Sequence, residues 1–332
     1  MRALWFLPLL AAFEGAVGSS GDRLPAFQQC ISRCARLQHT PSDLAQRVTR
    51  WTVQDECNYA CMHSVTDKLS SQGERVHQFY GKWPFWRLAG MQEPASVLFS
   101  LLNLAAHAQG VRDVRRSVSK GHPMRRFVTL WGFVAINAWT WSAVFHTRDK
   151  PFTERMDYIS AGASIFYSLF LAAVRVFGLW DAPGRARLTA TADATTHRRW
   201  MPLALFISAM FAAHVLYATR NPRFDYGYNI KACVAVGMLH NAIWVFYSWR
   251  ERRFRRAGVP VSRPYTIQPA IAVLVTTAAM GFELLDFPAW RRVIDAHALW
   301  HLSTVPIVVY WYRFLVKDSI DETQWAREKL PP

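Results

Sequence analysis

Beyond residue 93 the chain alternates long apolar runs with short polar, cationic stretches. The runs are seven, at about 94–110, 127–145, 157–178, 200–219, 228–248, 268–287 and 296–316. Each is close to the roughly 20 residues that a helix needs to cross the hydrocarbon core of a bilayer. The pattern predicts an all-α, polytopic membrane protein, with seven transmembrane helices over residues 93–316 and a cytosolic tail at 317–332. Residues 1–18 read as a signal peptide: Arg2 is the positive start, "ALWFLPLLAAF" the apolar core and "AVG" the small-residue cleavage site. That core is short for a span, which favours cleavage over an uncleaved first helix. Residues 19–92 are polar and fall on the lumenal side once the leader has directed the chain into the secretory pathway.

Composition sharpens this picture. The chain has 332 residues, enough for two soluble domains, yet it is 52% hydrophobic and carries 15 Trp, which suits lipid-facing helices better. The formal net charge is +16. A basic balance can signal nucleic acid, but topology accounts for it here. The loops expected in the cytosol, 111–126, 179–199 and 249–267, hold six, four and six Lys or Arg; the intervening loops hold three, two and two. That bias is the positive-inside signature. With seven crossings it places the C-terminus in the cytosol. Nucleic-acid binding is excluded as a function class, and the cationic loops are suited to membrane lipid headgroups.

Four of the five cysteines lie in the lumenal segment as two C-x3-C pairs, Cys30 with Cys34 and Cys57 with Cys61. Residues four apart share one helix face, and "HTPSD" at 39–43 reads as a turn followed by a helix start. Two antiparallel helices would set Cys30 opposite Cys61 and Cys34 opposite Cys57. The lumen permits disulfides, and so small a segment needs staples. A four-cysteine zinc site is the rival, though C-x2-C is its more usual spacing. Cys233 reads as a buried free thiol within the fifth run, and Arg175 as a side chain that snorkels from the third.

Several polar groups interrupt the apolar pattern at one depth. Ser142 and His146 end the second run, Asp157 begins the third, and His297 and His301 begin the seventh. With the N-terminus lumenal, all five fall at the lumenal face. His297 and His301, at i and i+4, project from one side of a helix, and His146 supplies a third imidazole. Three histidines suit one tetrahedral zinc ion (Zn2+) with a fourth position for water, whose pKa the metal lowers toward neutrality. Asp157 could orient that water or take its proton, and Ser142 could donate to a developing oxyanion. A Ser142–His146–Asp157 nucleophilic triad is the alternative; it lacks a G-x-S-x-G elbow and leaves His297 and His301 idle. Glu93, just ahead of Pro94, and Asn103, within the first run, are candidates for outer positions around the site, Asn103 also being placed to bridge helices.

The motifs "WTWSAVFHTRD" (139–149), "ERMDYISAG" (154–162) and "DAHALWHLSTVP" (295–306) resemble the CREST superfamily of seven-span membrane hydrolases. Together with "CISRC", "CNYAC", "FYGKWPFWR" and "EPASVLFSLLN", they resemble most closely its Per1-like branch, the post-GPI-attachment to proteins factor 3 group. The resemblance spans nearly the whole mature chain. It implies zinc on His146, His297 and His301, with Ser142 and Asp157 beside it. It further implies a multi-pass Golgi enzyme, with the endoplasmic reticulum as a secondary location. Such an enzyme removes the sn-2 acyl chain from the GPI lipid of GPI-anchored proteins. The competing readings are a seven-span lipid receptor with a structural zinc, a hydrolase of another lipid such as ceramide, and a transporter. The last is disfavoured because the polar groups gather at one depth instead of threading the membrane.

Overall fold

A computed structural model describes residues 19–34, 44–179, 199–221, 224–256 and 264–328. The expected signal peptide at 1–18 and the helix start at 39–43 lie outside the described residues. The fold is all-α; pairing between extended segments is limited, among the described residues, to isolated bridges such as Phe79 with Lys82. The helices are α1 (Pro25–Cys34), α2 (Leu44–Val48), α3 (Val53–Ser71), α4 (Pro94–Ser117), α5 (Pro123–Thr147), α6 (Pro151–Phe177), α7 (Trp200–Thr219), α8 (Tyr226–Arg256), α9 (Gln268–Ala279), α10 (Gly281–Leu285) and α11 (Ala296–Glu328). Proline opens α4, α5 and α6, where its fixed φ and missing N–H cost nothing. α6 stops at Gly178, in the left-handed region at φ 63°, and Leu179 N–H reaches back to the Val174 carbonyl.

The chain divides into two units. The first takes residues up to Ser100, then Ser142–Thr153 and Gly281–His301. Its small core is Phe27, Cys61, Val65 and Phe79, far too little apolar area to hold it alone. The disulfides Cys30–Cys61 and Cys34–Cys57 staple α1 to α3, each with Cα atoms 5.6 Å apart. This is the antiparallel pairing expected from the two C-x3-C motifs, and it removes the four-cysteine zinc alternative. A capping box starts α3: Thr52 Oγ1 accepts from Asp55 N–H, and the Asp55 carboxylate accepts from Thr52 N–H.

The second unit takes Leu101–Trp141, Glu154–Met280 and the chain from Leu302. Its core includes Phe127, Phe166, Phe170, Trp244, Tyr247 and Phe314. Gly110 and Gly132 let helices close on Tyr312, since a Cβ at either would collide with that side chain. Arg175 does not snorkel: it is buried and paired with Asp318, whose Oδ1 accepts from Arg175 Nη2 at 2.7 Å and from Tyr247 OH at 2.7 Å. Low-dielectric surroundings make a paired guanidinium cheaper here than an exposed one in lipid. Cys233 is free and half-buried.

Among the described residues, five helical stretches are long and apolar enough to cross a membrane: Pro123–Thr147, Pro151–Phe177, Trp200–Thr219, Tyr226–Arg252 and Pro264–Glu283. Leu205, Phe206, Leu216 and Leu274 on these helices are more than 60% exposed, as lipid-facing side chains are and those of a soluble protein seldom are. α4 and α11, the first and seventh expected spans, are long enough to cross but are not among the stretches apolar enough to do so.

Candidate metal centre

The three histidines come from two helix ends in the first unit. His146 is in the last turn of α5, and His297 and His301 occupy the first two turns of α11. α11 starts where it does because Asp295 caps it, its Oδ1 accepting from Ala298 N–H at 2.8 Å. The end of α5 is tied to the approach of α4 by two backbone bonds, Gln92 N–H to Thr147 O and Glu93 N–H to His146 O, both 3.0 Å.

One ligand atom from each of His146, His297 and His301 lies within 4.8 Å of the others. The Nε2 atoms of His146 and His297 are 3.3 Å apart. That matches the edge of a tetrahedron whose metal–nitrogen distances are about 2.0–2.1 Å. The opposite nitrogens are all engaged. His146 Nδ1 meets Glu93 Oε2 at 2.9 Å, His297 Nδ1 meets Glu283 Oε1 at 2.8 Å, and His301 Nδ1 meets Ser100 Oγ at 3.0 Å. A carboxylate only accepts, so Nδ1 of His146 and of His297 holds the proton. With both rings neutral, the two Nε2 atoms face each other with lone pairs, an arrangement that a cation between them relieves. Outer acceptors on the distal nitrogen are the usual partners of metal-bound histidine. The residues present therefore fit a metal ion.

The carboxylates are themselves held. Glu93 is buried and pairs with Lys82, whose ammonium also lies 3.3 Å from Asp149. Burial alone would raise the Glu93 pKa, but Lys82 and then His146 outweigh it and hold the carboxyl well below its usual range. Burial likewise opposes the Lys82 charge, and Glu93 with Asp149 overrides it and raises that pKa. Glu93 therefore stays ionised. Ser142 is buried with its Oγ 3.1 Å from Ser100 Oγ. His146 is sealed while the His297 side chain is 39% exposed, so the cluster opens on the His297 side.

The cysteine-stapled segment grips both chain segments that carry the histidines. Asp55 on α3 takes Arg148, just past His146, at 2.5 Å. Trp51 is covered by the guanidinium groups of Arg148 and Arg87, at 3.7 and 3.3 Å from its ring. Ahead of α11, the Asp286 carboxylate accepts from Gln78 and Trp83 Nε1, the latter at 3.0 Å. Arg292 donates to His63 Nδ1 at 2.9 Å and pairs with Asp67. Arg292 sits at φ 59°, a strained position for a non-glycine residue that these contacts offset.

Sequence reasoning brought together His146, His297, His301, Ser142 and Glu93, and these meet in the first unit. Asp157 lies in the second unit, in the second turn of α6, where its carbonyl accepts from Ser160 Oγ. Asn103 is also in the second unit and bridges α4 to α11 by accepting from Thr304 Oγ1 at 3.0 Å. Ser100 and Lys82 carried no local signal in the sequence; Glu283 is legible there as a polar group near the lumenal end of the sixth run, suited to an outer contact or to simple packing, and its pairing with His297 is what the structure adds.

The family model described as "Per1-like family" matches residues 43–319. The chain belongs to the Per1-like family. The match spans the whole histidine cluster and Cys57 and Cys61, and it starts after Cys30 and Cys34. Among curated relatives, the protein PER1 homolog of Schizosaccharomyces pombe is 38% identical over 95% of this chain and 92% of its own length. The "GPI-specific phospholipase A2-like PGAP3" proteins of Cricetulus griseus and Homo sapiens are 38% and 36% identical. They are matched over 92% and 97% of this chain and over 91% and 96% of their own. No solved structure matches this Per1-like chain. The relatives' names tie the family to GPI-anchor remodelling and to a hydrolase-type role.

Proposed function

We propose that this Per1-like protein hydrolyses the sn-2 acyl ester of GPI anchors on GPI-anchored proteins, with Zn2+ held by His146, His297 and His301. The observation that carries the proposal is the convergence of the imidazoles with every Nδ1 turned outward onto Glu93, Glu283 or Ser100. A zinc ion bound there supplies Lewis acidity and a water of lowered pKa. Glu93 and Glu283 fix the tautomers of His146 and His297 and keep their Nε2 atoms as ligands. Ser142 donates to the oxygen on which charge builds as the ester carbonyl is attacked. By the family resemblance alone, Asp157 would orient the water or take its proton. Water adds across the ester, giving a lyso-GPI protein and a free fatty acid.

The relatives' names bear on the substrate class, and the depth of the site suits it. Ester bonds near the glycerol backbone lie at the membrane interface, where the ends of apolar α5 and of α11 would present the histidines. The protein acts from the Golgi membrane with its N-terminus lumenal, and the stapled segment limits access around the anchored protein.

The deciding experiment expresses wild type and His297→Ala in cells lacking the endogenous activity and compares the acyl chains on GPI-anchored proteins. Cells expressing the wild type, and not the variant, should lose the unsaturated sn-2 chains from their GPI-anchored proteins. Identical lipid profiles would defeat the remodelling assignment. Zinc retained by a protein that turns over no GPI ester, alone or in the cell, would favour a receptor with a structural metal.

A further inference from the structure

A groove of about 690 Å³ opens at the start of α5, within the second unit. Arg115 from α4, Lys120 from the connecting loop, and Arg125 and Arg126 from the first turn of α5 line it, and no Asp or Glu does. Higher on α5 its wall is Leu130 and Phe133, which are 50% and 49% exposed. Arg126, Leu130 and Phe133 stand at i, i+4 and i+7, so cationic cup and apolar ledge share one helix face over about 10 Å of rise.

The cup does not rest on the helix terminus. Met124 N–H is taken by His122 Nδ1 at 3.2 Å and Arg125 N–H by the His122 carbonyl at 3.1 Å. The charged side chains are what the groove presents to a ligand. Arg125 is steered by the Arg115 carbonyl, which accepts from its Nη2 at 2.8 Å. Arg126 lies over the rings of Phe127 and Trp200 at 4.8 and 5.3 Å. The positive-inside rule explains why this loop is cationic. It does not require the cations to be concave, free of carboxylates and continuous with apolar surface.

We infer that this groove binds an anionic phospholipid, its phosphate among Arg115, Lys120, Arg125 and Arg126 and an acyl chain against Leu130 and Phe133. A phosphate group meets several donors at once, guanidinium being suited to its oxygens. The ledge discriminates a lipid from a soluble phosphate, which would leave it uncovered. This site shares no residue with the histidine cluster, and its occupant is bound without being hydrolysed.

Native mass spectrometry of the delipidated full chain in detergent tests this, with dioleoyl phosphatidic acid, dioleoyl phosphatidylcholine and inorganic phosphate as probes at equal concentration. Phosphatidic acid should be retained about tenfold over phosphatidylcholine, and inorganic phosphate not retained. Arg115→Gln with Lys120→Gln should cut phosphatidic acid retention about 30-fold, two cations at the roughly 1 kcal/mol each typical of lipid contacts. Arg112→Gln with Arg116→Gln, an equal charge loss outside the groove, should leave it unchanged. Leu130→Ser with Phe133→Ser should weaken it without altering charge, so the inference survives a misfolded arginine variant. Equal loss from the inner and outer charge pairs, or equal retention of the two lipids, would overturn it. Retention of inorganic phosphate at the level of phosphatidic acid would overturn the lipid assignment.

Discussion

Glu283 is the cleanest single residue on which to test the metal centre. It touches His297 Nδ1 at 2.8 Å and is one-third exposed, so removing its charge leaves nothing stranded in the interior. Glu283→Gln keeps the shape but no longer demands a proton on Nδ1, and His297 can then turn its proton toward the cluster. Loss of such an outer partner typically weakens metal affinity by about 10- to 100-fold. Zinc titration against a competing chelator should show that drop with unchanged helical content; equal affinity would mean that Glu283 does not orient the ligand. Glu93→Gln should produce a similar drop together with lower stability, because it leaves the Lys82 ammonium with Asp149 as its remaining ion-pair partner. An uncompensated buried charge costs about 3–5 kcal/mol, and Asp149 offsets part of that. The two variants thus separate orientation from stability: both lose metal, and Glu93→Gln alone melts substantially earlier.

At the scale of elements, the stapled pair α1 and α3 is what secures the approaches to both histidine-bearing helices. Cys34 and Cys57 close a loop with a sequence separation of 23, for which the chain-entropy model gives about 3 kcal/mol. Cys34→Ser with Cys57→Ser should lower the melting temperature and, through Arg148 and Arg292, weaken zinc binding as well. Unchanged zinc affinity would show that the segment is only a lid. The contact of α3 with the loop ahead of α11 is also built to fail in acid. His63 donates from Nε2 to the Phe85 carbonyl at 3.0 Å, accepts at Nδ1 from Arg292, and stacks on Trp86. Only the neutral ring satisfies both bonds. Burial, with Arg292 and Arg87 also opposing a positive ring against Asp67 and the Phe85 carbonyl, pushes its pKa down to about 4. The folded state therefore binds fewer protons than the unfolded one between about pH 6.5 and 4. Stability contributed here is complete above pH 6.5 and declines as pH falls to 4, by up to about 3 kcal/mol. His63→Gln should flatten that part of the pH–melting profile, and an unchanged slope would remove His63 as its cause. The helices, the cysteine pairing and the three histidines were legible because each rests on local spacing: 20-residue apolar runs, or residues four apart. Ser100 and Lys82 were not, and Glu283 was legible only as a polar group near the end of the sixth run, without His297 as its partner. Ser100 reaches His301 across 201 positions, and no short-range pattern encodes such a meeting.

Across the whole molecule, α4 shows how mean hydropathy can pass over a helix that is suited to lipid on one side only. Its polar residues Ser96, Ser100, Asn103 and His107 are buried, whereas Leu98, Leu101 and Leu102 are 53%, 48% and 41% exposed. α11 repeats the arrangement, with His301, Asp318 and Ser319 buried and Leu302 and Val309 exposed. A helix that turns its polar groups inward and its leucines outward satisfies lipid on the outside and hydrogen bonds within. Averaging over its length hides this. These two helices carry Ser100, His297 and His301, so the residues that make the site are also the ones that dilute the apolar signal. The crossing of α4 can be read directly. Glu74 precedes it and Ser119 follows it, and both are exposed. If α4 spans the bilayer, the two lie on opposite sides; if it does not, they share one. In a Cys233→Ser background, Ser119→Cys should react with a membrane-impermeant maleimide added outside sealed Golgi vesicles. Glu74→Cys should react only after permeabilisation. Labelling of both before permeabilisation, or of neither, would leave α4 on one side and end the seven-span topology. The reverse pattern would keep the crossing and invert the protein, placing the histidines away from any lumenal GPI anchor.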